Sequence, residues 1–397
     1  MASAERDWSA FLRSAPLIDG HNDLLWELRK ERLSGSPPSD VSASSASFQT
    51  DLPRLRDGGV GGQFWSVYVP SDLPDDVAVT QTLEQIDAFR RLVAAHPVLE
   101  IAKTADDIER IAAGGRVASM IGVEGGQSIG CSLGVLRMLS GLATGYLTLT
   151  HNDDNPWADS ATGDQQHGGL TRFGEEVVRE LNREGMLVDL SHVSDDAMRH
   201  ALSVSEAPAF FSHSSARALC DVPRNVPDDV LELVRGTNGV VMVTFVPAFL
   251  TPEGAWINLA GRQEWVRLKE EHPDDPEAAA VAMDAWFDAV GRPPASVSDV
   301  ADHVDHIREV AGIEAIGVGS DFDGAGPMPD GLEDVSRYPM LFEELRSRGY
   351  SDEELRKIAG GNLLRVLRET ERVSARIREE RPPSTATIEE LDGAGTT

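Results

Sequence analysis

The chain has 397 residues, of which 41% are hydrophobic and 26% are charged, and this balance excludes wholesale disorder. Its 66 acidic side chains against 36 basic ones give a net charge of −30, which would repel phosphate backbones and anionic membranes. We therefore expect no nucleic-acid partner and no membrane partner. Only Cys131 and Cys220 are available, so a disulfide framework is excluded, and we interpret both cysteines as small core residues.

The N-terminal segment 1–16 carries several charges and lacks the apolar centre of a secretory signal. No run along the chain approaches the roughly 18 apolar residues of a membrane span. These features predict a cytoplasmic protein.

Eight short apolar runs, each ended by a polar residue or a glycine, predict β-strands. In chain order they lie at 17–18, 63–69, 118–123, 145–150, 186–190, 208–212, 240–246 and 315–319. Several lack strict alternation, as expected of strands buried on both faces of a parallel sheet. Amphipathic stretches between them predict helices at 77–95, 133–142, 171–184, 195–203, 228–235 and 297–310.

Strand and helix alternating eight times is typical of the α/β class known as the (β/α)8 TIM barrel, which needs about 250 residues. A doubly wound open sheet is the alternative, since alternation alone does not show closure. We predict one barrel domain over 1–375, with extra C-terminal helices at 338–369 and a flexible tail at 376–397. A polar insertion at 251–296 carries Trp256, Trp265 and Trp286, which could line a substrate lid, contact another subunit or pack within the insertion.

Potential metal ligands follow the predicted strands at their carboxyl ends. They are His21, Asp23, Glu124, His151, His192, His213 and Asp321. The carboxyl ends of barrel strands open at one mouth, so we expect these side chains to converge. Imidazoles and carboxylates without thiolates suit zinc or manganese, and their number exceeds the needs of one catalytic ion, so two metals fit better. Such a pair can activate a shared hydroxide, and Asp321 is the candidate for moving protons.

Ordinary structural roles are the alternatives for these residues. A histidine at a strand end is usually only hydrogen-bonded, and Glu124 could form a salt bridge. We interpret Asp19 as a supporting hydrogen-bond acceptor. Arg224 could grip a carboxylate through two parallel hydrogen bonds, or it could pair with Asp221 and Asp228.

Residues 126–130 match the Gly-x-Ser-x-Gly pattern of serine hydrolases, with Ser128 in the nucleophile position. The pattern arises easily in a chain with 36 glycines, and the acid and histidine that it requires have no clear strand-end context. The sequence therefore favours the metal site over a serine nucleophile.

The motifs resemble the renal or membrane dipeptidase family of the amidohydrolase superfamily, from Asp19 to about Leu367. The matching segments, in family order, are 19–23, 122–125, 147–152, 188–192, 211–214, 221–225 and 319–324. The resemblance implies a metal-dependent dipeptidase with two zinc ions per chain. It implies His21 and Asp23 on one ion, His192 and His213 on the other, and Glu124 bridging them.

The same resemblance implies roles for three further residues. His151 would contact the substrate near the scissile carbonyl, Arg224 would bind the terminal carboxylate, and Asp321 would exchange protons with a metal-bridging hydroxide that attacks the peptide carbonyl. The implied substrate is a small dipeptide, with L-Xaa-D-Xaa among the candidates, and a homodimer is a further implication. A related amidohydrolase acting on another amide or lactone, a Ser128-dependent hydrolase, and a barrel that binds metal without catalysis are the alternatives. Asp323 has no assigned role.

Overall fold

A computed structural model describes residues 6–393, apart from 38, 274, 293 and the side chains at 276 and 277. Its strands lie close to the predicted apolar runs. They are β1 (Leu17–Asn22), β2 (Val60–Tyr68), β3 (Leu99–Ile101), β4 (Val117–Glu124), β5 (Thr144–Thr148), β6 (Leu187–Asp189), β7 (Phe210–Ser214), β8 (Val240–Val243) and β9 (Ile316–Val318).

All described strand pairs are parallel, in the order β2-β1-β9-β8-β7-β6-β5-β4-β3. Strand β2 also pairs with β4, from Gly62 opposite Ala118 to Tyr68 opposite Glu124, and this pairing closes eight strands into a barrel. The TIM-barrel prediction is thereby confirmed, and the open-sheet alternative is wrong. Strand β3 lies outside the barrel against the start of β4, and the sequence analysis did not predict it.

Helices surround the barrel on its outside. They are α1 (Trp8–Ser14), α2 (Leu24–Ser34), α3 (Leu52–Asp57), α4 (Asp75–Ala95), α5 (Ala105–Ala113), α6 (Leu133–Gly141), α7 (Arg172–Glu184), α8 (Asp195–Val204), α9 (Asp228–Gly236), α10 (Pro247–Leu250), α11 (Pro252–Glu271), α12 (Pro276–Val290), α13 (Val297–Val310), α14 (Tyr338–Ser347), α15 (Asp352–Arg356), α16 (Asn362–Glu380) and α17 (Ile388–Asp392). Shorter helical turns cover Gly126–Ile129, Ile313–Ala315, Val335–Arg337 and Lys357–Gly361. Within the described part of the chain, every helix is too short or too polar to cross a membrane.

The C-terminal segment departs from the sequence prediction. Helix α16 continues past residue 375 to Glu380, because Val373 and Ile377 are buried and Ser374 Oγ donates a hydrogen bond of 2.6 Å to the carbonyl of Arg183. Helix α17 buries Ile388. The structure therefore has helices within 376–393, where the sequence predicted a flexible tail, and 394–397 lie outside the described residues.

Aromatic and aliphatic side chains fill the barrel interior. Phe64, Tyr146, Phe210 and Met242 are buried there, and the ring of Tyr146 packs directly on Gly122 of β4. A Cβ atom at Gly122 would overlap that ring, so the absence of a side chain at this position is what admits Tyr146.

Gly122→Ala should therefore destabilise the protein. We expect the free energy of unfolding, measured by chemical denaturation, to fall by about 1–3 kcal/mol, the usual scale of overpacking in a core. Gly141→Ala is the matched control, because Gly141 ends α6 with open space where its Cβ would be. An equal loss of stability in both variants would contradict the packing argument.

Candidate active site

The carboxyl ends of the barrel strands open into a pocket of about 880 Å³. The predicted residues that line it are Asp23, Glu124, His151, His192, His213, Arg224 and Asp321. His21 is fully buried and contacts Asp23 and Glu124 at the base of this group. The structure thus brings together all eight residues selected from the sequence. A cavity of about 1090 Å³ between α2 and α4 contains none of them.

Glu124, the last residue of β4, lies at the centre of the cluster. Its Oε2 is 3.5 Å from Nε2 of His21 and accepts a hydrogen bond of 3.0 Å from Ser66 Oγ. Its Oε1 is 3.1 Å from Nε2 of His192 and 3.6 Å from Nε2 of His213. The two carboxylate oxygens therefore face different groups of side chains, one containing His21 and the other containing His192 and His213.

The first group is built at the end of β1. Nε2 of His21 is 3.2 Å from Oδ2 of Asp23 and 4.0 Å from Oδ1 of Asp321. On the other side of the ring, Nδ1 lies 2.8 Å from the hydroxyl of Tyr146, which fixes the ring so that Nε2 points into the cluster. Although buried, this Nε2 has no hydrogen-bond partner among the described residues, as expected of a ligand atom.

The second group contains His192 and His213, whose Nε2 atoms are 2.9 Å apart. Ser212 Oγ donates its single hydrogen to Asp189 at 2.6 Å, so it accepts a hydrogen bond from Nδ1 of His213 at 2.8 Å. The Nε2 lone pair of His213 is consequently directed into the cluster. Burial lowers the pKa of both histidines well below the usual value, which keeps the rings neutral, the form that binds metals.

The donor set fits divalent cations. Three sets of three residues could each hold a metal ion, because the donor atoms within a set all lie within 4.8 Å of one another. The sets are His21 with Glu124 and His213, Glu124 with His151 and His192, and His21 with Asp23 and Asp321. Buried carboxylates cost several kcal/mol each unless positive charge compensates them. Besides histidines, the basic side chains that line this pocket among the described residues are Arg224 and Arg262. Nitrogen and oxygen donors without thiolates match zinc-like ions.

Arg224 is buried beside the cluster. Its Nη2 donates a hydrogen bond of 3.3 Å to the carbonyl of His213, whereas its Nε and Nη1 have no partner among the described residues. Burial lowers the pKa of Arg224 to about 10, so the guanidinium is still charged at neutral pH. The predicted alternative of pairing with Asp221 or Asp228 is wrong, because Asp228 instead contacts His306 and neither carboxylate forms an ion pair with Arg224.

The turn after β9 carries Asp321 and is held by a residue that the sequence did not single out. Gln49 N–H donates to Oδ1 of Asp323 at 2.7 Å, and Asp323 N–H donates to Oε1 of Gln49 at 2.7 Å. Gln49 Nε2 also donates to the carbonyl of Ala325 at 2.9 Å. These hydrogen bonds give Asp323 a structural role in holding the turn. The pairing could not be predicted from a sequence motif, because Gln49 and Asp323 are 274 residues apart.

Asp19 accepts hydrogen bonds from Gln63 Nε2 at 2.9 Å and from the hydroxyls of Ser320 and Tyr338, each at 2.8 Å. This geometry matches its interpretation as a supporting acceptor. Ser128 is fully buried, does not line the pocket, and its hydroxyl has no hydrogen-bond partner among the described residues. A Ser128 nucleophile therefore lacks the activating base that such chemistry requires.

The insertion forms a helical hairpin of α11 and α12 beside the pocket. Trp256 and Leu259 of α11 line the pocket, whereas Trp286 of α12 packs near Gly261 within the hairpin. The lid alternative thus fits Trp256, and packing within the insertion fits Trp286.

Comparison with known proteins agrees with the geometry. Residues 5–381 match the model of the membrane dipeptidase family, peptidase family M19. Over 370 residues the chain is 45% identical to "Dipeptidase 3" of Mus musculus, and the alignment covers 92% of this chain and 66% of that protein. The chain therefore spans about two thirds of the length of this relative.

Solved structures share the fold. The crystal structure of a metallo peptidase of family M19, dipeptidase AC, is 26% identical, with a TM-score of 0.72 and coverage of 89% of this chain and 98% of that one. A metallo peptidase from Rhodobacter sphaeroides, bound to a phosphinate mimic of L-Ala-D-Ala, gives a TM-score of 0.73 at 24% identity, covering 89% and 99%. The chain belongs to the membrane dipeptidase family, peptidase family M19, a family of metallo dipeptidases and hence of hydrolases.

Proposed function

We propose that this chain is a dipeptidase that works with two zinc ions at the barrel mouth and accepts L-Xaa-D-Xaa dipeptides. The observation that carries the proposal is the position of Glu124, whose two oxygens face His21 on one side and His192 with His213 on the other. The mimic of L-Ala-D-Ala bound to the Rhodobacter sphaeroides protein supports the stereochemistry.

His21 and Asp23 would hold one zinc ion, His192 and His213 would hold the other, and Glu124 would contact both. Zinc bound there lowers the pKa of water and polarises a carbonyl group. The neutral rings of His192 and His213 need no deprotonation before they bind an ion.

Arg224 binds the terminal carboxylate of the dipeptide. Its Nε and Nη1 are already desolvated and unpaired, so a carboxylate that reaches them gains charge-assisted hydrogen bonds without stripping water from the guanidinium. His151, with Nε2 3.8 Å from Oε1 of Glu124 and partly open to the pocket, contacts the substrate near the scissile carbonyl.

Asp321 moves the protons of the reaction. As the oxygen of a water molecule bonds to the peptide carbonyl carbon, Asp321 accepts a proton from that water and passes it to the leaving amine when the carbon–nitrogen bond breaks. Asp321 lines the pocket with Oδ1 4.0 Å from Nε2 of His21, within the cluster that surrounds the reacting atoms.

Metal dependence is the first test. We expect about two zinc ions per chain by elemental analysis, with dipeptide hydrolysis lost on chelation and recovered on adding zinc. His192→Ala should lower zinc content and turnover together, because it removes a ligand. Ser128→Ala is the control and should keep both. A metal-free protein that hydrolyses esters and needs Ser128 would contradict the proposal.

Arg224→Ala tests the substrate class. We expect KM for a dipeptide to rise roughly 10–100-fold, the scale of lost hydrogen bonds between charged groups, with a smaller change in kcat. The matched substrate is the same dipeptide with its terminal carboxylate converted to an amide, for which the variant and the unmodified protein should have similar KM values. If KM for the free dipeptide hardly changes, hydrolysis of another amide or a lactone becomes the better description.

Asp321→Asn keeps the size of the side chain and removes its ability to accept a proton. We expect kcat to fall about 10²–10⁴-fold, the range for losing an acid–base group. Zinc content and the inhibition constant of a phosphinate dipeptide mimic serve as controls and should stay close to their original values. Unchanged turnover would remove the proton-transfer role from Asp321.

A further inference from the structure

Helix α11 lines the pocket with two large apolar side chains, Trp256 and Leu259, together with Ala255, Asn258 and Arg262. Trp256 is 60% exposed and Leu259 is 59% exposed, and both line the same cavity as the ligand cluster. They lie three residues apart, on one face of the helix. Large apolar side chains left open beside a site are a recurring sign of ligand contact.

The opposite side of α11 is anchored. Ile257 is buried, and α12 packs so closely on Gly261 that a Cβ there would lie 3.3 Å from Met283. Thr251 Oγ caps the helix at Gly254 N–H and donates a hydrogen bond of 2.9 Å to the carbonyl of Pro294. The hairpin is therefore an anchored wall of the pocket, and Trp256 and Leu259 lie on the side of α11 that lines it.

This wall is continuous with the Arg224 side of the pocket. Asn225 Nδ2 donates a hydrogen bond of 2.8 Å to the carbonyl of Phe249, and Arg224 Cζ lies 5.1 Å from the centre of the Phe249 ring. Helix α11 begins three residues later, at Pro252. Tyr68 and Trp26 also line the pocket. The centre of the Tyr68 ring lies 4.7 Å from that of His151, with the rings tilted by 53°, and 4.8 Å from that of Trp26 in an edge-to-face contact.

In a dipeptide, the Cα atom of the C-terminal residue is bonded to both the terminal carboxylate carbon and the scissile nitrogen. With the carboxylate on Arg224 and the scissile bond at the Glu124 cluster, this Cα would lie between them, close to the segment that connects Arg224 through Phe249 to α11. We propose, on the basis of the dipeptidase function proposed above, that Trp256 and Leu259 form the subsite for the C-terminal side chain and favour a large apolar one. The N-terminal side chain then faces Trp26 and Tyr68.

Two substrate series test this assignment. The first series compares Ala-Leu with Ala-Ala and so varies the C-terminal residue. The second series compares Leu-Ala with Ala-Ala and so varies the N-terminal residue. For Trp256→Ala and Leu259→Ala we expect the Leu-over-Ala ratio of kcat/KM to fall about fivefold or more in the first series, the scale of losing part of a buried leucine contact. The ratio in the second series should stay within about twofold.

Val266→Ala is the control variant, because Val266 lies on α11, is exposed and does not line the pocket. It should leave both ratios unchanged. If the unmodified protein hydrolyses no dipeptide, the proposed function itself is wrong. If it hydrolyses dipeptides but Trp256→Ala alters neither ratio, or alters only the N-terminal series, the subsite assignment alone is overturned.

Discussion

The site depends on the burial of Glu124 between His21 on one side and His192 with His213 on the other. A carboxylate in this position has lost most of its water, so its charge must be balanced by groups that the barrel brings to it. The pairing of β2 with β4 closes the barrel and ends at Tyr68 opposite Glu124, which carries the carboxylate to the mouth where β1, β6 and β7 also end. The same strand pairing therefore closes the sheet and places Glu124 in the charged cluster.

Below the cluster, two buried carboxylates hold the ligand-bearing strands in register. Asp19 connects β1 to Ser320 and Tyr338, while Asp189 accepts hydrogen bonds from Thr148 and from both the N–H and the hydroxyl of Ser212. Neither carboxylate lines the pocket, and each is satisfied by neutral donors. Through Ser212, Asp189 sets the tautomer of His213. Asp19 accepts from the backbone N–H groups of His21 and Ser320, so both aspartates act on the site through the residues that they position.

Much of the barrel could be predicted because strand and helix periodicity is local, and most of the site because each candidate follows an apolar run. His192 and His213 could be identified from the sequence for that reason. Tyr146 was not, since its contact with His21 spans 125 residues and requires that Gly122 leave room for the ring. The hairpin was likewise missed: its helices were not predicted, and which face meets the pocket depends on how α12 packs.

Backbone conformation shows where function outweighs local preference. His192 and Asp321 have φ values of 70° and 66°, in the left-handed region that favours glycine, and both sit where a strand ends at the mouth. Glycine would relieve the strain but would remove the imidazole or the carboxylate. The hydrogen bonds of Gln49 to Asp323 and Ala325, in the same turn as Asp321, help to keep this turn in place. The positive φ values are therefore tolerated because they go with side chains that turn away from the strand direction toward the ligand cluster.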